Sequence, residues 1–372
     1  MQAVILVGGQ GTRLRPLTLT TPKPMMPLVN RPFLEFQVEL CLRHGVREII
    51  LSTSYLPEVF RSYFGDGSHL GARMIYVTEE EPLDTCGAVK NVEDHIQGTF
   101  LVFNGDVLCD VDLTTLVAYH REKGGKATLY LTRVEDPTAY GLVPLDRQGR
   151  ILEFLEKPSW DQVTTDLVNA GAYVLEPELL QLVPAGEPYS FERQFFPRLL
   201  ADGVPMYGFP SDAYWMDIGT PAKYLQAHYD IMRRRLPFAF EGEEIKPSVW
   251  VGEGVEIDPR ASVFGPCVIG PGCRVAPHAL VSSDCVLGPG CVVGEGAHLE
   301  GAVLHEGCVV GAESVLRGCV LSRGVRVGER VHVSDGAVIG GEVVVGDDNE
   351  LRCGIRVWPG AVLPPHTLRF QS

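Results

Sequence analysis

The sequence predicts two domains of different class: an α/β domain with a mostly parallel sheet and helices on both faces over residues 1–235, and a parallel β-helix of six-residue repeats over residues 248–372. Three observations carry this. A chain of 372 residues exceeds one ordinary core. Its first part alternates short apolar runs with amphipathic segments, the pattern of a helix-covered parallel sheet. Its last third repeats an aliphatic residue every sixth position, which neither a helix nor an ordinary strand does.

In the first part, AVILV reads as a buried strand. FLEFQVELCLRHG follows as an amphipathic helix closed by Gly45, a residue suited to a helix C-cap. REIILST reads as a strand, YLPEVFRSYFG as a helix and RMIYVTE as a third strand; a helical AVKNVEDHI leads into TFLVFNGD. In such sheets ligands lie beyond the carboxyl ends of strands. Gly8-Gly9 and Asn104-Gly105-Asp106 both fall at such ends, which predicts one shared crevice. Residues 236–247 read as the linker.

From Val251 the aliphatic series runs Ile257, Val263, Ile269, Val275 and on to Leu299, then to Leu316 and to Leu363 after two one-residue deletions. Two residues before most of these stands a small side chain, and six of the ten cysteines (Cys267, Cys273, Cys285, Cys291, Cys308, Cys319) occupy that place. Three hexads make a triangular coil with the aliphatic residue inside and the small one near each corner. The cysteines therefore read as small buried hydrophobes. No pair of Cys-x-x-Cys strings supports a zinc site.

The formal net charge of -15 disfavours nucleic acid as a partner. No apolar run reaches a bilayer's thickness, so no membrane is expected, and MQAVILVGG lacks the marks of a secretory leader, so a cytoplasmic setting is expected. Yet the first acidic residue is Glu35, preceded by Arg13, Arg15, Lys23 and Arg31. An acidic chain with a purely basic opening is arranged for a small anion.

That anion has a cradle in Gly8-Gly9-Gln10-Gly11-Thr12-Arg13-Leu14, running on to Pro22-Lys23-Pro24. Glycines let backbone N–H groups turn toward phosphate oxygens, and Thr12 adds a hydroxyl. Arg13 offers a planar fork and Lys23 a compact charge. A dinucleotide-binding loop would carry a third spaced glycine opening a helix, but prolines 16, 22, 24 and 27 forbid an immediate helix. A P-loop's Gly-Lys-Ser/Thr is also absent.

This string resembles the signature of the nucleoside-diphosphate-sugar pyrophosphorylases. The likeness extends through Glu80-Glu81-Pro82-Leu83, Phe103 to Val107, Asn169-Ala170-Gly171, Tyr214 to Pro221 and Val357-Trp358-Pro359-Gly360, most like the mannose-1-phosphate guanylyltransferase branch. The resemblance implies a Rossmann-like nucleotidyltransferase domain followed by a left-handed β-helix. It also implies the reaction: a nucleoside triphosphate and a sugar 1-phosphate give nucleotide-sugar and pyrophosphate, with Mg²⁺ as cofactor. In-line attack on the α-phosphorus needs two anions brought together and the leaving pyrophosphate neutralised; it needs no covalent nucleophile. Asp106 and Asp217 are the expected Mg²⁺ carboxylates, with Asp110 the alternative for the second. Arg13, Lys23 and Lys157 are the expected catalytic cations, Lys157 through the family-like Glu156-Lys157-Pro158 string. Leu6, Gly8, Gly9, Gly11, Thr12, Arg13, Glu79, Asp84 and Thr85 are expected around the nucleotide. Asn104, Gly141, Glu156, Lys157, Asn169 and Gly171 are expected around the sugar phosphate.

Relatives that bind uracil or thymine tend to carry glutamine where this chain has Glu79; a carboxylate accepting two hydrogen bonds suits guanine's N1–H and N2–H₂, so GTP is favoured. Asp84 stands where the family has a glycine approaching the base, which puts nucleotide affinity in question and keeps a binding-only reading open; three readings stand beside GTP with mannose 1-phosphate. One is dTTP or UTP with glucose 1-phosphate. Another is a non-catalytic subunit that binds nucleotide-sugar. The last is a second, acyl-transferring site in the β-helix, built on His278, His298, His305, His332 or His366; unbroken hexads argue against it, and these histidines read as solvated loop residues. Self-association into a homo-oligomer through the β-helix is expected.

Overall fold

The computed structural model describes residues 1–369, and the last three positions of the expected β-helix lie outside the described residues. Two compact units emerge: one of Met1–Gln10, Pro22–Met25 and Leu34–Asp217, the other of Gly11–Thr21, Met26–Phe33 and the chain from Ile218 onward. This division does not follow a single cut at residue 235, because short early segments fold with the later chain.

The first unit is built on one sheet. Gln2–Leu6 lies between Glu48–Thr53 and Phe100–Asn104, parallel to both, and Arg73–Thr78 continues the parallel half beyond Glu48–Thr53. Leu167–Leu175 then runs antiparallel to Phe100–Asn104 and to Ala127–Arg133, which pairs in parallel with Met206–Pro210. Alternate strand residues feed two cores. Ala3, Ile5, Leu51, Leu101 and Phe103 pack with the helices Phe33–Arg43 and Pro57–Phe64, through Leu34, Val38, Phe60 and Phe64. Val4, Ile50, Phe100 and Val102 pack with Cys86 and Val89 of the helix Asp84–Lys90 and with Phe191 and Phe195. Both faces are thus covered, as residues buried on both sides of a parallel strand require. The first helix stops at Arg43, and Gly45, at φ 76°, closes it by donating its N–H to the Leu42 carbonyl. The helix expected from Ala88 instead starts at Asp84 and gives way at Asn91 to a short turn over Glu93–His95. Chain order reverses between Gln2–Leu6 and Phe100–Asn104, the switch point where a ligand crevice is expected.

The second unit is dominated by the β-helix. Its strands stack into three parallel sheets of eight, seven and six members, and the only antiparallel pairing in them among the described residues is Glu243–Lys246 against Val249–Val251, inside the expected linker. The aliphatic series fills the interior, and the six cysteines at the small sites are all 0% exposed.

One outer face is also apolar. The residues just before the inward aliphatic in successive strands of the first sheet (Trp250, Val268, Val286, Val303, Val320, Val338) stand in register and are each at most 6% exposed. The unit's other segments cover this face. Tyr229, from the helix Pro221–Met232, donates to the Gly301 carbonyl at 2.7 Å, and Tyr224 meets His305 Nε2 at 3.0 Å. Arg233 pairs with Asp284 at 2.5 Å, and Asn30 donates to the Leu287 carbonyl at 2.9 Å. The reading of His305 as a solvated loop residue is therefore corrected: burial beneath the helix pushes its pKa down to about 4. No helix among the described residues is long and apolar enough to cross a membrane.

Candidate active site

At the carboxyl end of the sheet Leu6 and Asn104 stand side by side in register. Gly105 donates its N–H to the Leu6 carbonyl at 2.9 Å, so close that a Cβ would overlap that oxygen. The turn presents Asp106. Beneath it lies Gln37, only 2% exposed, whose Nε2 donates to the carbonyls of both Asn104 (2.9 Å) and Val107 (2.7 Å). Trp215–Asp217 pairs antiparallel with Val107–Cys109 and sets Asp217 opposite Val107. Lys23 Nζ, on a side chain 7% exposed, is 2.9 Å from Asp106 Oδ2 and 3.7 Å from Asp217 Oδ1. The three groups expected around the reacting phosphates are thus brought together. Asp110, the alternative carboxylate, is paired with Arg43 at 2.6 Å, and Asp112 caps the helix Leu113–Lys123 by accepting the Thr115 N–H.

A divalent cation fits this donor set. Two carboxylates converge on one ammonium, and no cluster of three or more metal-ligating side chains occurs among the described residues. A cation bound here would draw its remaining oxygens from phosphate and water, which suits magnesium.

The residues expected around the sugar phosphate lie on neighbouring strands of the same unit. Gly141 pairs with Glu156, and Gly171, at φ 74°, packs against the Asn104 side chain. Asn169 spends its amide internally: Nδ2 donates to Tyr173 OH at 2.8 Å and Oδ1 accepts the Gly171 N–H at 3.0 Å. Asn104 Oδ1 is buried without a hydrogen-bond partner, an acceptor still to be satisfied. Burial first, then the Glu192 carboxylate, raises the Glu156 carboxyl above its ordinary range, against the pull of Lys157 and Arg193. The Lys157 side chain is 69% exposed, on a residue at φ 50° whose N–H is held by the Tyr140 carbonyl. Glu192 had no signal in the sequence beyond its charge. It accepts from Ser190 Oγ at 2.9 Å, Thr85 Oγ1 at 3.2 Å and Tyr173 OH at 3.4 Å, and so joins the residues expected at base and sugar in one network.

At the base end, Glu79 is buried. Its carboxylate accepts from Ser52 Oγ at 3.1 Å and from the Leu83 N–H at 3.0 Å. Asp84 takes φ 58°, a left-handed conformation open to glycine and tolerated by aspartate. Its carboxylate is ion-paired with Arg193 and accepts the Thr85 N–H, so its charge is neutralised locally. Gly8 is fixed by Ser54 Oγ donating to its carbonyl at 2.9 Å, and Gly9 is exposed.

The rest of the glycine-rich string belongs to the second unit. Gly11, at φ 59°, opens a single turn over Thr12–Leu14, and its carbonyl accepts from Thr18 Oγ1 at 2.8 Å. Leu14, Leu17 and Thr18 are buried while Thr12 and Arg13 are exposed, so the turn anchors by its apolar side and offers its polar one.

Signature string, carboxylate pair and sheet define a phosphate-handling α/β protein, and comparison gives it a place: the chain belongs to the nucleotidyl transferase family, whose model matches residues 2–234. Residues 246–351 match the left-handed β-helix domain of EIF2B subunit epsilon. A mannose-1-phosphate guanylyltransferase of Mycobacterium tuberculosis is 41% identical over 378 residues, spanning 100% of this chain and 98% of the relative. A UTP–glucose-1-phosphate uridylyltransferase of Synechocystis is 36% identical over 285 residues, 72% of this chain and 74% of the relative. The crystal structure of HddC from Yersinia pseudotuberculosis complexed with GMP-PN superposes with a TM-score of 0.54 at 30% identity, over 62% of this chain and 99% of that one.

Proposed function

We propose that this sugar-1-phosphate nucleotidyltransferase uses GTP and mannose 1-phosphate, giving GDP-mannose and pyrophosphate. The observation that carries the reading is Lys23 gathering Asp106 and Asp217 beside Asn104 at the carboxyl end of the sheet. The relative that spans the whole chain favours the guanine and mannose pair.

A phosphate oxygen of the sugar 1-phosphate attacks the α-phosphorus; the new P–O bond forms as the bond to the bridging oxygen of pyrophosphate breaks. Asp106 and Asp217 would hold Mg²⁺, which supplies charge neutralisation on the phosphates when bound. Lys23 balances the two carboxylates and the charge that develops on the phosphates. Lys157 steers the incoming sugar phosphate; its exposed ammonium, 4.0 Å from Glu156 Oε1, exchanges that loose pairing for the phosphate. Gly8, Gly9, Gly11, Thr12 and Arg13 take the triphosphate. Asn104, Gly141, Glu156, Asn169 and Gly171 orient the sugar; the open acceptor on Asn104 suits a hydroxyl. Leu6, Glu79, Asp84 and Thr85 take the nucleoside. Glu79 already accepts one bond on each oxygen and keeps a second lone pair on each for guanine's N–H groups. Self-association is assigned to the β-helix, where Phe264, Trp358 and Val362 are more than half exposed; light scattering that finds only monomer at every concentration removes it.

The test is pyrophosphate release from purified protein with GTP, ATP, UTP or dTTP, each with mannose or glucose 1-phosphate and Mg²⁺. GTP with mannose 1-phosphate is expected to lead, and Asp106→Ala and Asp217→Ala are each expected to lose about a hundred-fold or more in kcat. Parent-like turnover by either variant sinks the metal assignment. Preference for UTP or dTTP transfers the reading to a pyrimidine nucleotide, and tight GDP-mannose binding without turnover makes the protein a binding subunit.

A further inference from the structure

The apolar column on the covered face of the β-helix ends on a cation. Val338 pairs in register with Arg356, so the next outward position after a run of buried valines is an arginine. Its Nη1 donates to the carbonyl of Arg13 at 3.1 Å and to that of Arg15 at 3.0 Å. These carbonyls belong to the end of the turn Thr12–Leu14 and to the residue that caps it. Such carbonyls have no partner within a turn, and a cation is the favourable group to meet them. The same unit receives the Arg13 side chain as well. A Cβ on Gly219 would come within 2.8 Å of Arg13 Nη2, so the guanidinium lies flat on a position kept bare.

We propose that Arg356 is a positioning residue for nucleotidyl transfer. By tying the carbonyls of Arg13 and Arg15 to the last coils of the β-helix, it fixes the backbone from which the Arg13 guanidinium is aimed at the triphosphate. This gives the β-helix a part in substrate binding without a second active site, and it rests on the proposed role of Arg13. Leucine or valine at residue 356 would continue the apolar column but leave both carbonyls without this donor.

Arg356→Ala tests it with two readouts. Hydrogen exchange on the ligand-free protein is expected to quicken over residues 11–21 and to stay unchanged across the hexads of residues 267–345. In steady-state assays KM for the triphosphate is expected to rise about ten-fold, the order of one net hydrogen bond, since both bonds are solvent-exposed. KM for the sugar phosphate and the melting temperature are expected to stay near the parent's, and Arg356→Lys is expected to restore part of the triphosphate affinity. Unchanged exchange over residues 11–21 overturns the proposal whatever the substrate. In a parent that turns over, an unchanged triphosphate KM, or an equal rise in both KM values, overturns it too. A parent inactive on every triphosphate instead overturns the proposed function, a failure the exchange experiment reads separately.

Discussion

Asp106 owes its position to groups around it as much as to its own contacts. The Gln37 amide bonds the carbonyls on either side of the Gly105-Asp106 peptide, yet its Oε1 is buried with no partner. Leaving a buried oxygen unsatisfied costs on the order of 1–3 kcal/mol, which offsets part of what the two Nε2 bonds contribute to stability, and the geometry of the turn is what the glutamine secures. Gln37→Leu is expected to shift the melting temperature by only a few degrees while raising the apparent Mg²⁺ constant for turnover about ten-fold. A magnesium titration of the variant beside the parent checks this; an unchanged constant removes Gln37 from the machinery. At this scale the sequence was legible where a residue's role is set by its neighbours in the chain. The glycine run, Asp106 after its strand and Asp217 in Trp-Met-Asp-Ile-Gly were all readable. Gln37, Glu192 and the Asp84–Arg193 pair were not, because the contacts that tie them to the site (Gln37 to Asn104, Glu192 to Thr85, Arg193 to Asp84) span 67 to 109 residues and no spacing rule connects them.

The helix Pro221–Met232 shows what periodicity conveys and what it leaves out. Hexad counting found the inward positions of the β-helix because every coil repeats them. The outward valines recur only once per coil, every 17 or 18 residues, a period too long and too sparse to mark a covered face in the sequence. Two histidines, His228 on the buried side of this helix and His305 on the β-helix, are held neutral. The His228 ring accepts the Val29 N–H at 3.2 Å, and burial, then His305, pushes its pKa down to about 3; burial alone takes His305 to about 4. Both folded values lie below the ordinary histidine value of about 6.5, so the unfolded chain binds more protons in between. Stability is therefore complete above about pH 6.5 and falls as pH drops toward the folded values. The melting temperature is expected to fall by several degrees between about pH 7 and about pH 5, and His228→Gln is expected to flatten part of that slope. Parallel melting curves of variant and parent across this range would contradict the assignment.

At the scale of the whole chain, the compact units set what can be removed. The HddC structure superposes on only 62% of this chain while using 99% of its own length. In this chain the segments Gly11–Thr21 and Met26–Phe33 and the helix Pro221–Met232 fold with the β-helix. Tyr224, Ala227, His228 and Ile231 of that helix are each at most 1% exposed, and Leu14 and Leu17 of the signature segment at most 2%. A chain ending at residue 247 would open these side chains to water and release the carbonyls of Arg13 and Arg15 from Arg356. It is expected to keep the sheet's far-ultraviolet signal but to bind a hydrophobic dye, to aggregate on concentration, and to lose turnover by about a hundred-fold or more, the scale of a misplaced phosphate-binding group. Turnover and dye binding measured on the shortened and full chains together decide it. A shortened chain as active and as dye-silent as the full one would mean that the β-helix covers the signature segment without holding it.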